Sequence, residues 1–212
     1  MKRRLAGLYA ITPDEPRTGI LIVKVGQALS GGASVVQYRN KTAGSELRRE
    51  QAHALVALCR AAGTPLIVND DIELALALDA DGVHLGADDG DLAEARARLP
   101  RGKLLGASCY DRIESARAAV QAGVDYVAFG SVFDSGTKPD AVRAPLAIFA
   151  DARRSIALPL VAIGGITLEN AAQVFAAGAD AVAVISAVFD AADVAGRAAG
   201  FTRLHQQQGM QQ

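Results

Sequence analysis

The sequence predicts an α/β fold, a single-domain (β/α)₈ TIM barrel with parallel strands, and three observations carry that expectation. Eight short apolar runs are spread over 212 residues, which allows roughly 26 residues per strand-helix unit, near the lower size for a complete barrel. A helix-end, Gly, buried-strand pattern recurs in Ala122-Gly123-Val124-Asp125-Tyr126-Val127-Ala128-Phe129 and in Ala177-Gly178-Ala179-Asp180-Ala181-Val182-Ala183-Val184, with looser copies at 31–36 and 79–84. Glycine suits the left-handed residue that ends a helix, and near-continuous apolar runs fit parallel strands buried on both faces. Thirdly, five of the runs are followed at once by polar residues able to grip phosphate or metal, as at the carboxyl ends of barrel strands. A doubly wound sheet is the alternative, because periodicity alone does not establish closure.

In chain order the strands are expected at Leu5–Ile11, Ala33–Tyr38, Pro65–Val68, Gly82–Leu85, Lys103–Ala107, Asp125–Phe129, Leu160–Ile163 and Ala181–Ile185. Helices fill the intervals. Ser45 precedes the periodic Leu47, Ala54, Leu55 and Leu58, and Thr167 precedes Ala171, Val174 and Phe175. Asp111 with Glu114 has the spacing of a capping box. The barrel domain is expected over 1–205, and the Gln-rich 206–212 as a frayed tail.

Half of the residues are apolar, enough for a sizeable core, and the formal net charge of −1 gives no global field for nucleic acid or an anionic membrane. An anionic ligand must therefore be held by local cations. Two cysteines, Cys59 and Cys109, are too few for a disulfide framework and suit a reducing cytoplasm; a filler role is expected for Cys109 over a reactive thiol. The basic start at Met1-Lys2-Arg3-Arg4 is followed by an apolar stretch that breaks at Thr12-Pro13-Asp14-Glu15, too short for export or spanning. The partners expected are small-molecule substrates, with no nucleic acid and no membrane; a homo-oligomer is left open.

Asp70 and Asp89 lie just past the third and fourth strands, and two hard carboxylates from adjacent loops suit a Mg²⁺ that keeps several waters. Each also has a plainer reading, Asp70 as the cap of the next helix and Asp89 as one solvated acid in Asp88-Asp89-Gly90-Asp91. Arg39, Lys41 and Lys138 follow the second and sixth strands. Cations beside a Mg²⁺ site imply a ligand with more negative charge than the metal neutralises, such as a diphosphate. Ser135-Gly136-Thr137-Lys138 is a small, hydroxyl-bearing loop whose backbone N–H groups can approach anionic oxygens. Ser108, expected after strand five, adds a donor. Gly164-Gly165 after strand seven and Ile185-Ser186 after strand eight suggest a second subsite for a plain phosphate. Gln37 and Asn69 can donate and accept in a fixed plane, as a nitrogen heterocycle requires. His84 reads as a packed core histidine, and no His triad or zinc spacing is present.

Taken together, Tyr9-Ala10-Ile11-Thr12, Gln37-Tyr38-Arg39-Asn40-Lys41, Asn69-Asp70, Gly82-Val83-His84-Leu85-Gly86 with Asp89, Gly106-Ala107-Ser108, Ser135-Gly136-Thr137-Lys138-Pro139 and Ala162-Ile163-Gly164-Gly165-Ile166-Thr167 resemble the ordered motifs of the thiamine-phosphate synthase family. The resemblance spans nearly the whole chain. It implies a (β/α)₈ barrel that joins hydroxymethylpyrimidine diphosphate to hydroxyethylthiazole phosphate, giving thiamine phosphate and pyrophosphate with Mg²⁺. By the same resemblance, Gln37, Tyr38, Arg39, Asn40, Lys41, Asn69, Ser108 and Lys138 would bind the pyrimidine diphosphate, and Asp70 and Asp89 the Mg²⁺. Ser135, Gly136, Thr137, Gly165, Ile185 and Ser186 would hold the thiazole phosphate, and Arg39, Ser108 and Lys138 are the expected catalytic groups. The family loop commonly has a proline and two threonines where this chain has Asp134, Ser135 and Thr137 around Gly136, which puts an acid near a phosphate.

Rival readings are a thiazole tautomerase of the same superfamily and a catalytically silent phosphate-ligand sensor. The former has no use for a diphosphate-binding metal pair, so Asp70, Asp89 and Lys138 argue against it. Pyrophosphate release, measured with both substrates and with or without Mg²⁺, separates the three.

Overall fold

The computed structural model describes residues 5–134 and 142–209. Its strands are β1 Gly7–Ile11, β2 Val35–Tyr38, β3 Leu66–Asn69, β4 Gly82–Leu85, β5 Leu104–Tyr110, β6 Tyr126–Phe129, β7 Leu160–Ile163 and β8 Ala181–Val184. They close into one barrel in the order β1 to β8, every neighbouring pair parallel, with Tyr9 opposite Ala183 where β1 meets β8. Closure removes the doubly wound alternative. The helices between and after the strands are α1 Thr18–Ser30, α2 Ser45–Ala62, α3 Ile72–Ala77, α4 Leu92–Arg98, α5 Ile113–Gln121, α6 Ala147–Arg153, α7 Leu168–Ala176, α8 Ser186–Phe189 and α9 Val194–Gly209.

Alternation along each strand divides the core into two shells. Leu8 and Ala10 of β1 face the helix layer with Val36 and Tyr38 of β2, whereas Tyr9, Ile11 and Val35 face the barrel axis with Ile67, Tyr126, Ala128, Val161 and Ala181. The inner shell mixes alanines with branched aliphatic residues, and two tyrosines supply the largest side chains. Gly106 makes room for one of them: a Cβ there would lie 2.0 Å from the Tyr126 ring. Any side chain at 106 would push that ring from the axis.

Several local expectations shift. β5 continues to Tyr110, so Ser108 lies within the strand instead of after it, and the register with β6 slips between Ser108 and Tyr110. A register slip of this kind re-aims side chains at a strand end. Helix α5 begins at Ile113 behind Arg112, with no side-chain cap, so the Asp111 capping box does not form; Ser45 sits inside α2 behind Gly44. At α7 the Thr167 backbone N–H donates to Asn170 Oδ1 at 2.8 Å, as a capping box requires. Residues 206–209 belong to α9, which packs on α1 and α7, and the frayed tail expected from 206 does not start there. Glutamine is a good helix former, and nothing before Gly209 breaks the run. Among the described residues no helix is long and apolar enough to cross a membrane.

Candidate active site

The carboxyl ends of the strands surround a cavity of about 540 Å³, lined among others by Gln37, Arg39, Asn69, Ser108, Gly165, Ile185 and Ser186. A smaller cleft of about 230 Å³ lies beside it, and Arg39 and Asn69 line both. Residues from all eight strands or their ends thus meet in one place.

Strand alternation splits the run from Gln37 to Lys41. Gln37 and Arg39 reach the main cavity. Tyr38 points the other way: it is buried in the outer shell and its hydroxyl donates to Gln51 Oε1 at 2.9 Å. Asn40 is also spent on scaffold, donating from Nδ2 to Gln51 Oε1 at 3.0 Å and Glu15 O at 3.2 Å, and accepting at Oδ1 from the Ala43 N–H at 3.1 Å. Both side chains therefore shape the loop that carries Arg39 and Lys41. Asp14, which the sequence did not single out, holds this loop from the β1 side. Its carboxylate accepts from Arg39 Nη1 at 3.2 Å and from the Lys41 backbone N–H at 2.8 Å.

On the adjacent side, Asp71 and not Asp70 caps α3, accepting the Leu74 N–H at 2.9 Å. Asp70 is thereby free, and it sits at φ 63°, a backbone region few non-glycine residues adopt. Its Oδ2 contacts Lys41 Nζ. Burial, joined by hydrogen bonding and repulsion from the Asp89 carboxylate, holds the Asp70 carboxyl above its ordinary range despite the lowering effect of Lys41. The two expected metal acids are therefore neighbours. Asp89 Oδ2 also accepts the Gly86 N–H at 2.8 Å, which anchors it at the end of β4. Arg48 of α2 lines the smaller cleft with Lys41 and Asp70, and its Nε is buried without a hydrogen-bond partner. This further cation had no sequence signal beyond a polar helix face.

Two mutually repelling carboxylates side by side are a donor set that a small oxygen-loving divalent ion fits. Among the described residues no group of three His, Cys, Asp or Glu side chains is placed to hold a metal.

Opposite this acidic corner, Gly165 is at φ 62° and a Cβ there would meet the Asp134 carbonyl at 2.2 Å. Only glycine allows both the left-handed turn and the close approach. Ile185 precedes α8 and Ser186 opens it. Ser135, Gly136, Thr137 and Lys138 lie outside the described residues. Asp134, the acid that departs from the family loop, pairs with Arg143 at 2.6 Å, which offsets its charge.

A buried polar chain crosses the barrel axis beneath these groups. Gln37 Nε2 donates to Tyr9 OH at 2.9 Å, Tyr9 OH lies 2.8 Å from Tyr126 OH, Tyr126 OH lies 3.0 Å from His84 Nδ1, and His84 Nε2 lies 2.9 Å from Ser108 Oγ. Burial lowers His84 to about 4 and raises both tyrosines, so all three are neutral near pH 7. His84 is buried, as expected, but it bonds at both ring nitrogens and lines the cavity. The β4 run Gly-Val-His-Leu, with a polar residue on the axis-facing side, was the available signal. Cys109 is buried and its thiol is pushed up to about 12 by that burial, which leaves it a filler.

A family profile described as thiamine monophosphate synthase matches residues 8–188. A thiamine-phosphate synthase of Aromatoleum aromaticum is 57% identical over 201 residues, covering 95% of this chain and 97% of the relative. One from Methylobacillus flagellatus is 58% identical over 200 residues, covering 94% and 95%. A solved thiamine phosphate pyrophosphorylase from Pyrococcus furiosus superposes with a TM-score of 0.87 at 35% identity, covering 97% of this chain and 98% of that one.

Proposed function

The chain belongs to the thiamine monophosphate synthase family, and from that premise we propose how its barrel mouth divides the work. The protein is a transferase that condenses 4-amino-2-methyl-5-(diphosphooxymethyl)pyrimidine with hydroxyethylthiazole phosphate, giving thiamine phosphate and pyrophosphate. The C–O bond of the pyrimidine methylene breaks, its electron pair leaves with the pyrophosphate, and the thiazole nitrogen lone pair forms the new C–N bond. In our reading the displacement is dissociative, with the aminopyrimidine stabilising the methylene cation between the two events.

The observation that carries this division is the corner where Lys41 meets Asp70 beside Asp89, with Arg39 on the shared rim of the two clefts. Asp70 and Asp89 would hold a Mg²⁺ ion. That ion would supply positive charge to the diphosphate oxygens on which charge develops. Arg39 and Lys41 bind and orient the diphosphate, and Lys138 is assigned to the same anion from the loop after β6. Ser108 donates from beneath, while Gln37 and Asn69 take the heterocycle. Tyr38 and Asn40 contribute through the backbone and shape of their loop, since their side chains are engaged elsewhere. Gly165, Ile185 and Ser186, with Ser135, Gly136 and Thr137, take the thiazole phosphate through backbone and hydroxyl donors. No protein nucleophile is required. Buried, unpaired thiols and the absence of a spanning helix among the described residues are consistent with a cytoplasmic setting.

Pyrophosphate release by the purified protein, assayed with both substrates and then with Mg²⁺ chelated, tests the proposal. Release should require both substrates and the divalent ion. Metal-independent turnover at the full rate would remove Asp70 and Asp89 from the metal role.

A further inference from the structure

The polar chain across the barrel has a direction, and the direction follows from proton counting. Gln37 Nε2 carries hydrogens only, so Tyr9 OH must accept from it. Tyr9 is fully buried, and among the described residues its hydroxyl has one other partner, Tyr126 OH. If Tyr126 donated to Tyr9, the Tyr9 proton would be left buried without an acceptor. Tyr9 therefore donates to Tyr126. Tyr126, having accepted, donates to His84 Nδ1. A neutral imidazole with Nδ1 accepting carries its proton on Nε2, which then donates to Ser108 Oγ. Ser108 accepts there, and its own O–H is released toward the cavity that it lines.

We propose that Tyr9, Tyr126 and His84 are positioning residues, a one-way relay that begins at the Gln37 amide and fixes the Ser108 hydroxyl as a donor to the bound pyrimidine diphosphate. The identity of that ligand rests on the functional reading above; the relay itself rests on the hydrogen-bond geometry and on an uncharged His84 ring. Reversal of the chain would make Ser108 donate to His84 and turn a lone pair toward the departing anion, which is repulsive where charge develops. Gly106 belongs to the same device, because the space over it is what lets the Tyr126 ring reach the axis between Tyr9 and His84. The stacking of His84 on Tyr126, with ring centroids 5.5 Å apart, limits rotation of the imidazole that would exchange its two nitrogens.

The test has two arms that fail separately. In ¹⁵N-histidine-labelled full-length protein, with His84 identified by its loss in His84→Gln, the ring should show a protonated Nε2 and a bare Nδ1 near pH 7. A protonated Nδ1, or rapid averaging of the two forms, overturns the relay whether or not the protein is active. In the kinetic arm, Tyr126→Phe should lower kcat for pyrophosphate release by about tenfold or more with the KM for the pyrimidine diphosphate within about twofold. The same substitution placed in Ser108→Ala should change kcat by less than about twofold, since the residue acts through Ser108. Multiplying losses in the double variant would overturn the positioning role. Should Tyr126→Phe fold poorly, Tyr9→Phe carries the same expectation. A wild-type protein that releases no pyrophosphate with both substrates would sink the functional reading and leave the tautomer result to decide the relay.

Discussion

The Asp14 carboxylate accepts the Lys41 backbone N–H at 2.8 Å while bonding the Arg39 guanidinium at 3.2 Å, so one acid just past β1 sets both cations that follow β2. Thr12 reinforces the arrangement, exchanging two 2.8 Å hydrogen bonds with the Arg39 backbone. Preorganised cations need no reordering when the anion arrives. Asp14→Ala should therefore raise the KM for the pyrimidine diphosphate by about tenfold and leave the thiazole phosphate KM unchanged. Asp14→Asn, which keeps an acceptor for the Lys41 N–H but loses the ion pair, should fall between. Steady-state pyrophosphate release checks both, and equal effects on the two KM values would contradict a role confined to the cation loop.

Asp70 and Asp89 together make the heavier demand. Asp70→Ala should lower turnover by on the order of a hundredfold or more with the barrel intact by circular dichroism, because loss of one electrostatic contributor to a transition state costs about 3 kcal/mol. Chelation of Mg²⁺ in the wild type should reproduce that loss, and chelation in Asp70→Ala should add little. Near wild-type turnover in purified Asp70→Ala would falsify the metal assignment. Lys138→Ala should show a loss of similar size.

The barrel was legible because its signal repeats: eight apolar runs, each followed by a helix, leave few ways to be misread. Placement at the barrel mouth was legible where a polar residue or glycine follows a strand: Arg39 and Gly165 line the main cavity and Asp70 the cleft beside it. It was less legible where facing decides the outcome. Gln37 to Lys41 read as one binding run, yet a two-residue period sends Tyr38 to the helix shell and leaves Gln37 and Arg39 in the cavity. The Asp14 contacts and the pairing of the polar side chains across the barrel axis were not legible for a different reason. Their partners are distant in sequence, Tyr9 to Tyr126 and His84 to Ser108, and only closure of the barrel brings them together.

At the other subsite, Gly165 offers a selective probe. A Cβ there would meet the Asp134 carbonyl at 2.2 Å in a φ 62° backbone, so Gly165→Ala must move the turn, at a stability cost of about 1–3 kcal/mol. The KM for thiazole phosphate should rise by about tenfold while that for the pyrimidine diphosphate stays within about twofold. An effect on the pyrimidine side alone would place the second phosphate elsewhere.

His84 also ties the stability of the barrel to acid. Burial lowers the ring from 6.5 to about 4, so between those values the unfolded chain binds a proton that the folded chain does not. Protons then favour unfolding, and stability should fall as pH drops through this window and level off below it. The full difference amounts to about 3 kcal/mol. Carboxylates titrate over part of the same range, so the informative quantity is the difference between wild type and His84→Gln in urea unfolding at several pH values. The wild type should lose about 3 kcal/mol more than the variant between pH 7 and the bottom of the window. Parallel stability curves for the two proteins would mean that His84 binds its proton alike in the folded and the unfolded chain, and that its burial carries no acid penalty.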